Sequence, residues 1–165
     1  MDEADKPIVL ISSDDQKIEI TKKVAQGSNY IKNDIEAFPD HSEYPLAIKG
    51  DLLRKVKEYL EHHQTEEPKK IPTPLPDGDF KKYVTEFDFN FSDLDPNTVA
   101  ELLLAANTLD IQPLLTLTAA KIASFMKGKT TEEMREIFKI ENDFSPEEYK
   151  KYQEENQWCL DNFAN

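Results

Sequence analysis

Few residues in this chain could carry chemistry. The histidines are His41, His62 and His63. On a helix the adjacent pair would point about 100° apart, so it cannot supply two metal ligands from one face. We therefore expect no metal site, and we expect His62 and His63 to be surface residues at a helix end, where positive charge is mildly favourable.

The single cysteine is a poor candidate for a nucleophile. Cys159 can form neither an internal disulfide nor a thiolate cluster, and an active thiol needs a nearby base or positive field. Its neighbours Glu154, Glu155 and Asp161 have the opposite charge. Carboxylates are spread along the whole chain, and no phosphate-loop or serine-hydrolase motif occurs. We expect a protein that is not an enzyme and uses no cofactor.

The charge balance excludes further classes of partner. The 165 residues include 33 Asp and Glu against 20 Lys and Arg, a formal net charge of −13. This charge would repel phosphate backbones and anionic lipid headgroups. No apolar run approaches the roughly 18–20 residues that cross a bilayer, and the first residues lack a signal-peptide pattern. We expect neither nucleic acid nor membrane as a partner, and a reducing compartment.

The first half of the chain predicts a small sheet with helices. The stretch IVLISSDDQKIEI predicts a β-hairpin that turns at residues 13–15, and YPLAI predicts a third strand near an edge, because its proline offers no backbone donor. Thr21 and Ser28 are expected to cap short helices. Asp51 opens a one-sided helical pattern that should end near His63.

The segment 64–78 separates this half from a helical second half. It contains four prolines and almost no periodic apolar pattern, so we expect a mobile linker within the fold. The block that follows, FKKYVTEFDFNF, predicts one helical stripe through Phe80, Tyr83, Val84 and Phe87.

The next two helices should form the centre of the core. Asp95 and Pro96 are a strong helix start, and the helix after them is apolar almost all round, which predicts burial between other elements. A second apolar helix runs from Gln112 to Met126 and should end at Gly128.

Two short, charged helices follow, and each begins with a capping box. The boxes pair Thr130 with Glu133 and Ser145 with Glu148. The last helix carries an aromatic stripe of Tyr149, Tyr152 and Trp158. These helices have little core of their own, so their apolar stripes predict a binding surface.

The residues of the second half match a known family. The motifs AAN-x-LDI, KGKT-x-EE-x-R and ENQWC occur in order within residues 105–159, and I-x-L-x-SSD occurs at 8–14. Over most of its length the chain resembles the SCF adaptor family, the S-phase kinase-associated proteins that join F-box subunits to a cullin. The resemblance implies an α/β fold: a BTB/POZ-like domain with a small three-stranded sheet over 1–127, and a C-terminal helical F-box-binding extension over 128–165.

The resemblance also implies where partners bind. The F-box is expected on the extension and the helix before it, with an apolar lining of Ile122, Phe125, Met126, Ile137, Phe138, Ile140 and Trp158. The alternative that these residues only close an internal core stays open.

The cullin is expected at the end of the core helix, where the family has an Asn-Tyr pair. Here the position reads Asn107–Thr108. Loss of an aromatic ring predicts a weaker contact and a diverged member of the family. A second departure, Phe87–Asp88 in place of Trp-Asp, keeps an apolar helix face.

By resemblance, the chain is expected to be a cytoplasmic and nuclear, non-catalytic adaptor of an SCF-type E3 ubiquitin ligase, acting in ubiquitin-dependent protein degradation. Its expected partners are F-box proteins and a cullin. The alternative is a structural or self-assembling BTB-type scaffold that uses the same apolar surface for homodimers and has no ubiquitin-ligase role.

Overall fold

The computed structural model describes residues 6–76 and 79–163, and for residues 158–163 it describes the backbone only. The chain divides after Lys129 into two compact units. Each unit is described by itself. Among the described residues, no helix is both long and apolar enough to cross a membrane.

The first unit contains a three-stranded sheet in the order β2-β1-β3. Its strands are β1 (Pro7–Ile11), β2 (Lys17–Thr21) and β3 (Glu43–Pro45). β1 and β2 are antiparallel, whereas β3 pairs parallel to β1 at the edge. The hairpin and the edge position of the third strand are confirmed, although the third strand is shorter than YPLAI and begins one residue earlier.

One face of the hairpin enters the core because apolar residues alternate along both strands. Ile8 and Leu10 of β1, and Ile18 and Ile20 of β2, are all buried.

The helices of each unit follow in chain order. In the first unit they are α1 (Lys22–Ala25), α2 (Asn29–Ala37), α3 (Gly50–His62), a 3-10 helix (Phe80–Tyr83), α4 (Glu86–Phe91), α5 (Pro96–Thr108) and α6 (Gln112–Met126). The second unit contains α7 (Thr131–Phe138) and α8 (Pro146–Phe163).

The local helix signals are confirmed. The Thr21 side chain accepts from the backbone N–H of Val24, and Ser28 accepts from that of Ile31. Asp95 caps α5 with Pro96 in its first turn. Both capping boxes form: Glu133 Oε2 lies 2.8 Å from the Thr130 amide, and Glu148 Oε2 lies 2.9 Å from the Ser145 amide. Gly128, with φ +73°, follows α6.

The continuous helical stripe expected from Phe80 to Phe87 is wrong. The 3-10 helix ends at Tyr83, and Val84 has extended backbone. The Thr85 side chain then accepts from the amide of Asp88, 3.0 Å away, and starts α4 as a separate helix. A capping threonine within the pattern thus divides it into two pieces.

The first core helix is buried between other elements, as expected, but only on one side. Leu102, Ala105 and Ala106 of α5 are buried, but Leu104 is 62% exposed. The packing of α5 is mainly against α6 and α3. These neighbours cover one side of the helix and leave another side to solvent.

The proline-rich segment is attached to the core at two points within its described part, 64–76. Ile71 and Leu75 are partly buried and pack against the core. These two contacts place the segment within the fold, as expected. Its mobility stays a prediction.

The expectation of two surface histidines is wrong for His63. Its side chain is 6% exposed, and its Nε2 lies 3.0 Å from Oδ1 of Asp88, whose side chain is 4% exposed. The reason is that α4 lies beside the end of α3, where the Phe87 ring stacks on His62 with ring centroids 3.6 Å apart.

Candidate functional site

Three of the seven residues expected at an F-box contact lie at the end of α6. Ile122 and Phe125 are partly buried, and Met126 is 43% exposed. The neighbouring residue Lys121 is buried, with its ammonium 5.2 Å from the centroid of the Phe125 ring. This cation–π contact holds the Phe125 ring beside the core, while Met126 projects an apolar side chain into solvent.

A groove lies along α6, within the first unit. It has a volume of about 390 Å³ and lies between the proline-rich segment and α6. Its lining consists of Ile71, Pro72, Thr73, Pro74, Leu75, Leu115, Thr116, Ala119, Ala120 and Ala123. Sequence reasoning missed this groove, because the segment has almost no periodic apolar pattern from which a contact with α6 could be predicted.

Three further candidates lie in the second unit, where no residue of α7 is fully buried. Ile137 and Phe138 are partly buried, and Ile140 is 59% exposed. Lys139 ends α7 in a left-handed conformation, with φ 53°. The amide of Ile140 then donates to the carbonyl of Arg135 over 2.9 Å. This turn satisfies an orphan carbonyl at the helix end and leaves the Ile140 side chain in solvent.

Two exposed aromatic residues of the second unit were not among the predicted contacts. Phe144 is 44% exposed and Tyr152 is 52% exposed. Their rings stack with centroids 5.9 Å apart. The aromatic stripe of the last helix, which includes Tyr152, was the feature of the sequence that could have identified this residue as a contact. The seventh candidate, Trp158, lies within α8, but its side chain is outside the described residues.

Each unit therefore leaves apolar side chains exposed to solvent. Exposed isoleucine, methionine and aromatic side chains are what a protein-binding surface requires, because burying them against a partner removes apolar area from water. The six described candidates are divided between two units, three in each.

The residues expected at a cullin contact lie together at the end of α5. Asn107 and Thr108 are both exposed. The Thr108 hydroxyl donates to the carbonyl of Leu104 over 2.9 Å. Leu104 is the large apolar residue of this surface, and sequence reasoning missed it. Its spacing of four residues from Thr108 was the available signal, because residues i and i+4 share a helix face.

Beside Thr108 the surface is concave. A depression of about 280 Å³ is lined by Ser13, Ala47, Ile48, Lys49, Leu52, Glu101, Leu104, Ala105 and Thr108. Two of these residues form an ion pair, with Lys49 Nζ 2.9 Å from Glu101 Oε1. The hydrogen bond to Glu101 and its charge raise the pKa of Lys49. The depression thus combines apolar lining with a charged pair.

Metal chemistry finds no support in the described part of the chain. There, no group of three or more His, Cys, Asp or Glu side chains could hold a metal ion.

A small sheet-and-helix domain followed by α7 and α8, with exposed apolar side chains between these two helices and on α8, defines an α/β protein-interaction module of the POZ type. Two sequence models of one family match the chain. The Skp1 family, tetramerisation domain, matches residues 6–65, and the Skp1 family, dimerisation domain, matches residues 112–159.

Similar proteins span almost the whole chain. The S-phase kinase-associated protein 1 homolog of Tetrahymena thermophila is 38% identical over 96% of this chain and 97% of its own length. The SCF ubiquitin ligase complex protein SKP1a of Dictyostelium discoideum is 41% identical over 96% of this chain and 98% of its own. The E3 ubiquitin ligase complex SCF subunit sconC of Arthroderma benhamiae is 38% identical over 94% of this chain and 96% of its own length. The chain belongs to the Skp1 family.

Proposed function

We propose that this protein is a non-catalytic adaptor subunit of an SCF-type E3 ubiquitin ligase. In this role it binds F-box proteins through its C-terminal helices and a cullin through its POZ domain, and it acts in ubiquitin-dependent protein degradation. One observation carries the proposal: apolar side chains stay exposed between α7 and α8, at Ile140 and Phe144, and on α8, at Tyr152, in a chain whose relatives, matched over nearly their full length, are named as SCF complex subunits.

The F-box surface is assigned to two groups of residues. Ile122, Phe125 and Met126 form the α6 group. The second group, in the C-terminal extension, consists of Ile137 and Phe138 of α7, Ile140 just after α7, and Trp158 of α8. Aromatic and aliphatic anchors that lose water on binding supply most of the free energy of such contacts. We assign residues 1–127 to the POZ domain and 128–165 to the F-box-binding extension, with a mobile linker at 64–78.

The cullin surface is assigned to Asn107 and Thr108, extended by Leu104. The exposure of Leu104 supports this assignment, because a 62% exposed leucine beside a depression is a site for a partner's apolar side chain. The threonine contributes less contact area than an aromatic ring would. The cullin contact is therefore the weaker of the two.

Binding rather than catalysis is the role of every residue assigned here, and no cofactor takes part. We place the protein in the cytoplasm and nucleus, where SCF-type ligases act. Nucleic acid and membranes are not partners, in keeping with the net charge of −13.

A second candidate function is self-assembly into a structural scaffold without a ubiquitin-ligase role. The same exposed apolar side chains favour it, because a second copy of the chain could cover them. The region 112–159 also matches a family model described as a dimerisation domain. In this reading the homodimer is the final assembly.

Reconstitution separates the two candidates. The full chain is purified alone, with an F-box protein, and with an F-box protein plus the N-terminal part of a cullin, and each sample is sized by light scattering. The adaptor proposal expects one ternary complex with one copy of each chain. A tight homodimer with no affinity for F-box proteins would support the scaffold and refute the adaptor.

A further inference from the structure

The proline-rich segment follows α6 along most of that helix. Residues 68–73 and the start of α6 line one depression. Residues 71–75 and the middle of α6 line the groove described above. Just past the end of α6, Lys127 Nζ donates to the carbonyl oxygen of Pro76 over 3.1 Å. The segment therefore forms a wall beside α6.

This wall is attached to the core but leaves space beside α6. Ile71 and Leu75 are partly buried and pack against the core. The groove between the wall and α6 keeps an open volume of about 390 Å³, whereas one water molecule takes up only ~30 Å³ in the liquid. A segment that blocked this face of α6 would fill the space. The groove is therefore open to side chains of another protein.

The groove suits an apolar side chain. Among the described residues that line it none is charged, and the only polar side chains are those of Thr73 and Thr116. An apolar group that replaces water in such a groove gains free energy from the burial of apolar area. Pro72, Pro74 and Pro76 remove backbone donors at alternate positions, so the wall is poorly suited to pair as a β-strand. Side chains must carry the recognition.

The groove is continuous with the α6 group of the proposed F-box surface. Ala119 and Ala123 line the groove. They precede Ile122 and Met126 by three residues, and residues three apart are neighbours on one helix face. A partner that covers the exposed Met126 side chain is therefore next to the groove.

Toward the start of α6 the surface becomes positively charged. A depression of about 400 Å³ shares three residues with the groove and adds two exposed lysines, Lys69 and Lys70. Nζ of Lys69 donates to the backbone carbonyl of Lys82 over 3.2 Å, a neutral acceptor that leaves the positive charge in place. In a chain with a net charge of −13, such a pair selects a carboxylate. We call this site the lysine-lined depression.

We propose that residues 68–76 are a second wall of the F-box-binding surface. The F-box protein seats an apolar side chain between this wall and α6, and it places a carboxylate in the lysine-lined depression. Ala119 and Pro113, one in each site, are six residues apart on α6, which corresponds to about 9 Å between the two groups of the partner. A mobile segment can serve as this wall, because it has only to close on the seated side chain.

This inference rests on the proposed adaptor function and extends it, because no residue of 68–76 belongs to the F-box surface assigned above. The wall makes the proline-rich segment part of partner recognition. F-box proteins that carry the apolar and acidic pair should bind more tightly than those that lack it.

Titration calorimetry of the full-length chain with an F-box protein tests the wall. The double variant Ile71→Ser/Leu75→Ser should bind about tenfold more weakly, because the wall loses both apolar anchors. Ile35→Ser/Leu94→Ser is the matched control, since Ile35 and Leu94 are also partly buried against the core but do not line the groove. Unchanged affinity in the folded Ile71→Ser/Leu75→Ser variant overturns the inference. Tighter binding overturns it equally, because the segment would then be a competitor of the F-box.

Thr116→Tyr tests the groove from the side of the helix. Thr116 is exposed and lines both the groove and the lysine-lined depression, so its replacement fills them and leaves the core intact. F-box affinity should fall about tenfold while cullin affinity stays unchanged. Wild-type F-box affinity in this variant overturns the inference.

Lys70→Glu tests the carboxylate of the partner. Binding should weaken about threefold and depend less on salt concentration, because a charge at the edge of an interface acts mainly through long-range attraction. Lys32→Glu makes the same change of net charge at an exposed position of α2 and should have no effect. Equal F-box affinity in the two variants removes the acidic group from the proposal.

NMR of the wild-type complex needs no variant. With methyl-labelled isoleucine and leucine, the methyl groups of Ile71 and Leu75 should show intermolecular NOEs to the F-box protein. If the double variant does not fold, this spectrum and Thr116→Tyr still decide. A complex without these NOEs overturns the wall and leaves the adaptor function standing. A wild-type chain without F-box affinity refutes the adaptor function itself, and the wall with it.

Discussion

The hydroxyl of Thr108 donates to the carbonyl oxygen of Leu104 over 2.9 Å, within one turn of α5. This bond turns the threonine back onto its own helix and directs no polar group at a partner. The Leu104 side chain beside it is 62% exposed. The end of α5 therefore offers a partner an aliphatic side chain and a depression, but no aromatic ring.

Thr108→Tyr should strengthen cullin binding and leave F-box affinity unchanged. The ring adds apolar contact area at the centre of the proposed surface, and an aromatic anchor there is worth about 1–2 kcal/mol. Titration calorimetry with the N-terminal part of a cullin measures the change. Thr116→Tyr is a matched control, because Thr116 makes the same bond to its own helix, to Gln112 over 2.9 Å, away from this surface. Equal cullin affinity in wild type and Thr108→Tyr would rule out the assignment of this surface.

Ile140→Ala should lower F-box affinity while hardly changing stability. The side chain is 59% exposed, so its truncation removes little buried area from the folded protein, and the loss of stability should stay within about 0.5 kcal/mol. Binding should weaken by on the order of 1–2 kcal/mol if the isoleucine becomes buried in the complex. Leu104→Ala is the control: it should reduce cullin affinity and leave F-box affinity unchanged. A loss of stability without a loss of F-box affinity would instead make Ile140 part of an internal core.

The features that could be predicted from the sequence are those decided within a few residues. Thr21, Ser28 and Asp95 cap their helices through amides two or three positions ahead, so the short-range pattern contains the whole interaction. The hairpin follows from alternation along two adjacent strands. The incomplete burial of the α7 stripe was also predictable, because an eight-residue, highly charged helix cannot bury its own apolar residues.

One error was local, because the cap at Thr85 that divides the stripe from Phe80 to Phe87 was overlooked. The other errors concern contacts between elements that are distant in sequence. His63 is buried because α4, 25 residues further along the chain, lies over it, and no local signal reports that. Leu104 was expected in the core because α5 reads as apolar all round, yet its neighbours cover only part of the helix. The groove beside α6 depends on the path of a proline-rich segment whose sequence shows no periodicity. Burial in each case is a property of the tertiary arrangement.

Acidification should unwind the start of α8 through Glu148. Hydrogen bonds from the Ser145 hydroxyl, and then from the Ser145 amide, lower the pKa of Glu148 from its ordinary value of 4.5. A lowered pKa in the folded state means that the stabilisation is present above pH 4.5 and is lost as pH falls through the folded value. The protection factor of the Ser145 amide, which is its exchange rate relative to the intrinsic rate at the same pH, should therefore fall below pH 4.5.

Glu148→Gln separates this cause from general acid unfolding. Glutamine can also complete a capping box, but it does not titrate. The protection factor of its Ser145 amide should therefore be independent of pH in this range, whereas Glu147→Gln should behave like wild type. The same pH dependence in wild type and Glu148→Gln would contradict the prediction.

Trp158→Ala should weaken F-box binding by roughly 2 kcal/mol or more, because truncation of a central aromatic anchor usually costs that much. This prediction rests on the motif ENQWC and on the position of Trp158 within α8. Binding is measured by calorimetry, and circular dichroism checks that α8 stays helical. Glu154→Ala is the control, since Glu154 is exposed on the same helix and makes only a solvent-exposed ion pair with Lys150, 3.9 Å away. Trp158→Phe should recover part of the loss, because the ring still fills most of the contact. Unaltered affinity in a well-folded Trp158→Ala would remove the tryptophan from the surface and leave F-box recognition to Ile140 and the α6 group.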